Sequence, residues 1–251
     1  MIIIKSDSDI RLMRKSGAIT AAALAAVGRE IKPGMSTKDL DCIVEDVIRS
    51  KGAIPSFKGY GGFPASACIS PNNIVIHGIP SKDCIIKAGD IVSVDVGSYL
   101  NGFHSDSAFT FRVGEISDNA KRLLDTTNES LYKAQAVLKD GVRLGDIGNA
   151  VQTHCEAQGF SVVRDFVGHG IGRDLHEDPS VPNYGKAGHG MRLFKGSTVA
   201  IEPMINEGTN KVFIDSKDGW TVTTADGKLS AHFEHTFYID ETCAHILTVE
   251  D

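Results

Sequence analysis

The 251-residue chain has no apolar run long enough to cross a bilayer: Met1-Ile2-Ile3-Ile4 is broken at Lys5, and no later window comes close. The same brevity excludes a signal segment. No two cysteines stand at Cys-x-x-Cys spacing. Cys42, Cys68, Cys84, Cys155 and Cys243 form an odd, scattered set, which excludes a cysteine-rich zinc finger and fits reduced thiols in the cytoplasm. Nor is there an excess of positive charge. The 26 Lys and Arg against 32 Asp and Glu leave a formal net charge of −6, which argues against broad binding of nucleic acid or anionic membranes. Two familiar loops are also missing. Gly168-x-Gly170-x-Gly172 lacks the Gly-x-Gly-x-x-Gly spacing and the opening helix of a dinucleotide site. His176-Glu177 has no second histidine at metalloprotease spacing, and Pro179 would disrupt such a helix. What is left is an ordinary globular chain, 41% hydrophobic and 23% charged, long enough for one large domain or two fused halves.

The most informative stretch present is residues 91–111, which reads as two strands joined at Asn101-Gly102, a pair that tolerates positive φ. Parity separates Val92, Val94 and Val96 from Ile91, Ser93 and Asp95 in the first strand. In the second it separates Phe109 and Phe111 from Asp106, Ala108 and Thr110. One face of the hairpin therefore carries two carboxylates, Asp95 and Asp106. Bounded by valine and phenylalanine, they are costly unless a cation or hydrogen-bond donors meet them.

A short strand at residues 2–4 precedes a helix capped by Ser6 or Asp7 and ended by Pro33-Gly34. A second helix starts at Ser36, with Asp39 in capping-box position, and closes at Lys51-Gly52. The pattern returns after Ser117 at an offset of 107 residues: Gly34 falls on Gly141, Asp39 on Asp146, Val44 on Val151, Gly52 on Gly159, and Asp95 on Glu202. Units this long are not solenoid repeats; they imply two pseudo-equivalent halves building one site. Residues 232–239 then read as the returning strand of the second half, with Glu234 matching Asp106. The second hairpin is the longer one and carries the only tryptophan, Trp220.

Four carboxylates converging in a partly apolar cleft repel one another strongly without cations. Two divalent ions would neutralise them, shared carboxylates holding paired metals about 3.5–4 Å apart. A further donor is expected within residues 163–179, where His169 sits between Gly168 and Gly170 and His176 follows.

In chain order, Asp95, Asp106, His169, Glu202 and Glu234 resemble the five-ligand signature of the pita-bread metallopeptidases. The segments HGIP at His77, GHGIGRDLHE around His169 and IEPM around Glu202 resemble those of type I methionine aminopeptidases. The resemblance covers nearly the whole chain. With no helical insertion between His169 and Glu202, and no zinc-finger or targeting extension before the core, it points to the short bacterial form. It implies an α/β (α+β) pita-bread fold, a curved antiparallel sheet backed by helices. A single catalytic domain would span residues 1–251, with halves at about 6–112 and 113–251.

By the same resemblance, Asp106 and Glu234 bridge two metal ions, Asp95 completes one, and His169 with Glu202 completes the other. Oxygen-rich ligation with one imidazole suits Mn, Fe or Co. Such ions lower the pKa of a water and polarise the scissile carbonyl. Glu202 is implied as proton shuttle, His176 as the donor to the substrate carbonyl, and His77 as the residue that orients the peptide. Positions resembling the methionine pocket are Phe57, Tyr60, Phe63, Cys68, Leu175 and Trp220. Phe57 replaces a common Cys, Phe63 a common Tyr and Leu175 a common Phe, departures that bear on pocket shape. The implied substrate is the N-terminal methionine of nascent polypeptides with a small second residue, met by a cytoplasmic monomer in transient association with the ribosome. An X-Pro peptidase of the same fold, a catalytically inactive peptide-binding module and a dinuclear phosphoesterase are the alternatives.

Overall fold

The structure is a computed structural model and describes residues 1–250. Its centre is the hairpin of Ile91–Leu100 and Phe103–Arg112, turned at Asn101 and Gly102, whose φ angles are 53° and 87°. Val94 stands opposite Phe109 and Asp95 opposite Ala108, so the valines share one face and Asp95 and Asp106 the other. Helix α1 (Asp7–Glu30) and helix α2 (Thr37–Ser50) cover the valine face, where Ile19, Val27, Leu40, Val44 and Ile48 pack on Val92, Val94 and Val96. Leu40 is fully buried there. Its truncation to alanine would cost about 2–5 kcal/mol. Both helices begin at a serine capping box. Ser6 accepts from the Asp9 N–H while Asp9 accepts from the Ser6 N–H, and Ser36 and Asp39 do the same.

Helix α3 (Asp118–Val137) and helix α4 (Leu144–Ala157) form the second pair. Both ends of α4 lie 107 residues beyond those of α2. The same shift relates the isolated bridge Ser36↔Ile85 to Arg143↔Arg192. It also relates the Gly34 N–H bond to Ile86 O to that of Gly141 to Leu193 O, each 2.8 Å. Leu123, Leu131, Ile147 and Val151 pack on Val199, Ile201, Phe237 and Ile239, strand residues of a five-stranded sheet. In that sheet Thr198–Ile201 lies between His235–Ile239 and Gly168–Gly170. Strand pairing is antiparallel throughout the described residues.

A seam joins the two hairpins. Ala108 and Glu234 exchange backbone hydrogen bonds of 3.3 and 2.9 Å. Thr236 donates its hydroxyl to Asp106 O at 2.8 Å, and Thr110 donates to His232 O at 2.8 Å.

Three expectations change. Residues 2–4 form no strand: they enter no ladder, Ile3 and Ile4 are exposed, and the chain is anchored instead by Lys5 N–H on Gly196 O at 2.8 Å. Helix α1 ends at Glu30, ahead of Pro33, whose ring disfavours helical backbone before it. Residues 232–239 are not one strand. Ser230–His232 pairs with Met204–Asn206 and His235–Ile239 with Thr198–Ile201, both ladders being interrupted where Pro203 lacks an N–H. In addition, the longer second hairpin, Val212–Ile214 with Val222–Thr224, docks on Ile74–Ile76 of the first half. No helix is long and apolar enough to cross a membrane among the described residues.

Candidate active site

The interruption in the second ladder creates half of the site. Ile201 pairs with His235 on one side and Met204 with His232 on the other, the same register. Glu202 and Glu234 therefore confront each other at the gap. His169 stands opposite Ala200, so it shares the face of Glu202 two residues on. The flanking glycines are required by the packing of adjacent strands. A Cβ at Gly168 would lie 2.4 Å from Ala200 O, and one at Gly170 would lie 2.2 Å from Asp178 O. Asp95 and Asp106 arrive from the other hairpin, across the seam at Ala108 and Glu234.

The result is a tight acidic cluster. His169 Nε2 lies 3.8 Å from Asp106 Oδ2 and 3.7 Å from Glu202 Oε1. His169 Nδ1 is 2.8 Å from the Gly170 carbonyl, which can only accept, so Nδ1 carries the proton and the Nε2 lone pair faces the carboxylates. Asp106 is 4% exposed and Glu234 2%. Asp95 Oδ1, Asp106 Oδ1 and Glu234 Oε1 are buried without a partner. No lysine or arginine lines the cavity.

Burial pushes all four carboxyls up, Asp95 to about 7 and Asp106, Glu202 and Glu234 well above the usual range, with mutual repulsion adding to the last three. Burial also lowers His169, to about 3, keeping the imidazole neutral. Crowded carboxylates, orphaned oxygens and one imidazole lone pair fit bound divalent cations better than an apolar ligand. The donor atoms of Asp106, His169 and Glu234 lie within 4.8 Å of one another, as do those of Glu202, His232 and Glu234. Glu234 belongs to both groups, as a carboxylate shared between two ions would.

Above the cluster lies a cavity of 140 Å³. It is lined by Phe57, Tyr60, Phe63, Cys68, Leu175 and Trp220, together with His77 and His176. All thirteen residues singled out from sequence, five in the acidic cluster and eight around it, line this one space. Trp220 reaches it from the long second hairpin, edge-on to Phe63 at 5.2 Å and to His77 at 6.0 Å. His77 holds a left-handed φ of 58°. Burial brings its pKa down to about 4. His176 Nδ1 is 2.8 Å from the Tyr60 hydroxyl and its ring lies 4.2 Å from that of His169. Residues 57–63 form a loop with one 3-10 turn at Tyr60–Gly62.

The sequence reading missed His232. Its Nε2 is buried without a hydrogen-bond partner, 3.7 Å from both Glu202 Oε2 and Glu234 Oε2. The available signal was parity, since in the continuous strand expected over 232–239 residues 232 and 234 fall on one face.

The profile of metallopeptidase family M24 matches residues 11–241. The chain belongs to this family and is a metallopeptidase of α/β pita-bread fold. Methionine aminopeptidase 1 of Bacillus subtilis is 52% identical over 248 residues, covering 99% of each chain. Methionine aminopeptidase of Clostridium perfringens is 54% identical over 250 residues, again covering 99% of each. The crystal structure of methionine aminopeptidase from Thermotoga maritima superposes with a TM-score of 0.98 at 48% identity, covering 100% of both chains.

Proposed function

We propose that this chain removes N-terminal methionine from polypeptides whose second residue is small, using two divalent ions held by Asp95, Asp106, His169, Glu202 and Glu234. The observation that carries this reading is the placement of a small apolar and aromatic cavity directly over the buried carboxylates. At 140 Å³ it suits one side chain. Drug-sized sites run to about 300–1,000 Å³. Phe57, Phe63, Cys68, Leu175 and Trp220 offer an unbranched thioether an apolar, polarisable wall.

In this assignment Asp95, Asp106, His169, Glu202 and Glu234 would together hold the ions. Bound there, Mn, Fe or Co would supply Lewis acidity, acidifying a water and polarising a carbonyl. The chain's own residues do the rest. Glu202 accepts the proton of the attacking water and passes it on. Partial burial lowers the pKa of His176 from its usual value, which favours the neutral imidazole. The Tyr60 O–H donates to its Nδ1, which leaves Nε2–H to donate to the substrate carbonyl oxygen as charge develops there. His77, walled by Trp220 and Phe166, orients the peptide. The free α-amino group is held among the carboxylates, which restricts attack to the first residue.

The 107-residue correspondence of α2 with α4 supports reading residues 1–251 as one catalytic domain of two related halves, about 6–112 and 113–251. We place the protein in the cytoplasm as a monomer meeting new chains transiently at the ribosome. Five free cysteines suit that compartment. Purified protein loaded with Mn or Co should release methionine from Met-Ala-Ser and leave an X-Pro peptide intact. Release from the X-Pro peptide, or no release from either, would overturn the assignment.

A further inference from the structure

The turn between His235–Ile239 and Ala244–Ile246, on a different part of the surface from the acidic cavity, gathers Asp240, Cys243 and His245. Cys243 Sγ lies 3.7 Å from His245 Nε2 and 3.8 Å from Asp240 Oδ2, and these last two are 2.6 Å apart. The turn is braced independently of that convergence. Asp240 Oδ1 accepts from the N–H groups of Thr242 and Cys243 at 2.7 and 2.8 Å, which leaves Oδ2 for the cluster. Asp240 N–H donates to Cys243 O at 2.9 Å, and the ring of His245 stacks on Tyr238 across the ladder. Cys243 is exposed and opens onto a broad groove of 770 Å³ beside the end of α3, so an ion has free access.

From this geometry we infer that Asp240, Cys243 and His245 form a second metal site, separate from the catalytic cluster, that takes one zinc-class divalent cation with water as fourth ligand. Metal–ligand bonds of about 2.0–2.3 Å at tetrahedral angles put neighbouring ligand atoms roughly 3.3–3.6 Å apart. The two edges to sulfur already lie within a few tenths of an ångström of that. Only the 2.6 Å edge between Asp240 and His245 has to open, as it does when a cation replaces the proton shared between them. On binding, the Cys243 thiol loses its proton to solvent and the thiolate donates to the cation, while the imidazole keeps its proton on Nδ1. Thiolate and imidazole favour zinc or cobalt, whereas the catalytic cluster offers four carboxylates and one imidazole and suits harder ions. The two sites thus separate by ligand softness.

The contrast supplies the test. The whole protein, already loaded with catalytic metal, is titrated with Co²⁺ alone while near-ultraviolet absorption is followed. A thiolate-to-cobalt charge-transfer band should rise to one equivalent per chain and collapse when Zn²⁺ is added. A band from the cavity's own thiol, Cys68, would survive Cys243→Ser, so that variant tells the two sites apart. The band should vanish in Cys243→Ser, and His245→Ala should weaken Co²⁺ binding by more than roughly tenfold, since even outer partners of a metal site are worth about 10–100-fold. Both variants should keep turnover of Met-Ala-Ser, which shows that they fold and that the band is not catalytic metal. Absence of the band in the wild type, or its survival in Cys243→Ser, would overturn the inference.

Discussion

Replacing Lys5 by methionine would strip the counter-charge from Glu177 while keeping the length of the side chain. Lys5 Nζ lies 2.6 Å from Glu177 Oε2, and both side chains are only 3% exposed. The other oxygen of Glu177 accepts from the N–H groups of Arg173 and Asp174 at 2.8 and 3.4 Å. The loop that ends in His176 therefore hangs from a carboxylate pinned by the first residues of the chain. Breaking one side of a buried ion pair costs about 3–5 kcal/mol. The two backbone donors that remain on Glu177 place Lys5→Met at the lower end, about 3 kcal/mol. For a chain of this size that lowers Tm by roughly 6–12 °C. Thermal unfolding would read the stability loss, and Met-Ala-Ser kinetics should show kcat falling more than KM rises, because His176 loses its position. Adding Glu177→Gln should return part of the loss, with a coupling of about 1–3 kcal/mol. A Lys5→Met protein that melts within about 2 °C of wild type with unchanged kcat would refute the reasoning.

Other perturbations have expected outcomes of the same kind. His176→Ala should lower kcat by about 10²–10³-fold, the usual loss for a donor to a developing oxyanion. Tyr60→Phe, which removes only the hydrogen bond that fixes the tautomer, should cost no more than about tenfold; equal losses in the two variants would contradict their assigned roles. The stability that bound metal adds should depend on pH. In the metal-free protein burial raises the cluster carboxyls, Asp95 from 3.8 to about 7, so at these groups the folded state holds protons that the unfolded state has lost. Buried histidines such as His77 and His232, lowered by burial, act in the opposite sense over the same range. The cluster is therefore read from the difference between metal-loaded and metal-free protein, which should grow as pH rises from about 4 to 7. Urea titrations of both forms at several pH values would show it, and a difference independent of pH would refute it.

Much of the site was legible because alternation is local. The parity that puts Val94 behind and Asp95 in front is readable within ten residues, and the shift of 107 from Asp39 to Asp146 carries it to the second half. The carboxylates, the glycines around His169 and the loop bearing Tyr60 each left a mark in their own neighbourhood. What could not be read depends on contacts between distant residues. Lys5 and Glu177 are 172 positions apart, and neither has a neighbour that predicts the other. The gap at Pro203 and Glu234 needs knowledge of which strand lies opposite. Without it, residues 232–239 look continuous and His232 looks like a strand end rather than a group facing two glutamates. Residues 2–4 look like a strand by propensity alone, and only the tertiary context, in which they join no ladder, makes them otherwise.

Metal content and turnover, measured together on the same stripped and refilled protein, bear directly on the paired-ion cluster. Wild type titrated with Mn²⁺ should begin to release methionine from Met-Ala-Ser as the cluster fills, and Glu202→Ala should bind less metal and release almost none. Full turnover by protein free of divalent metal, or wild-type rates in Glu202→Ala, would contradict the account.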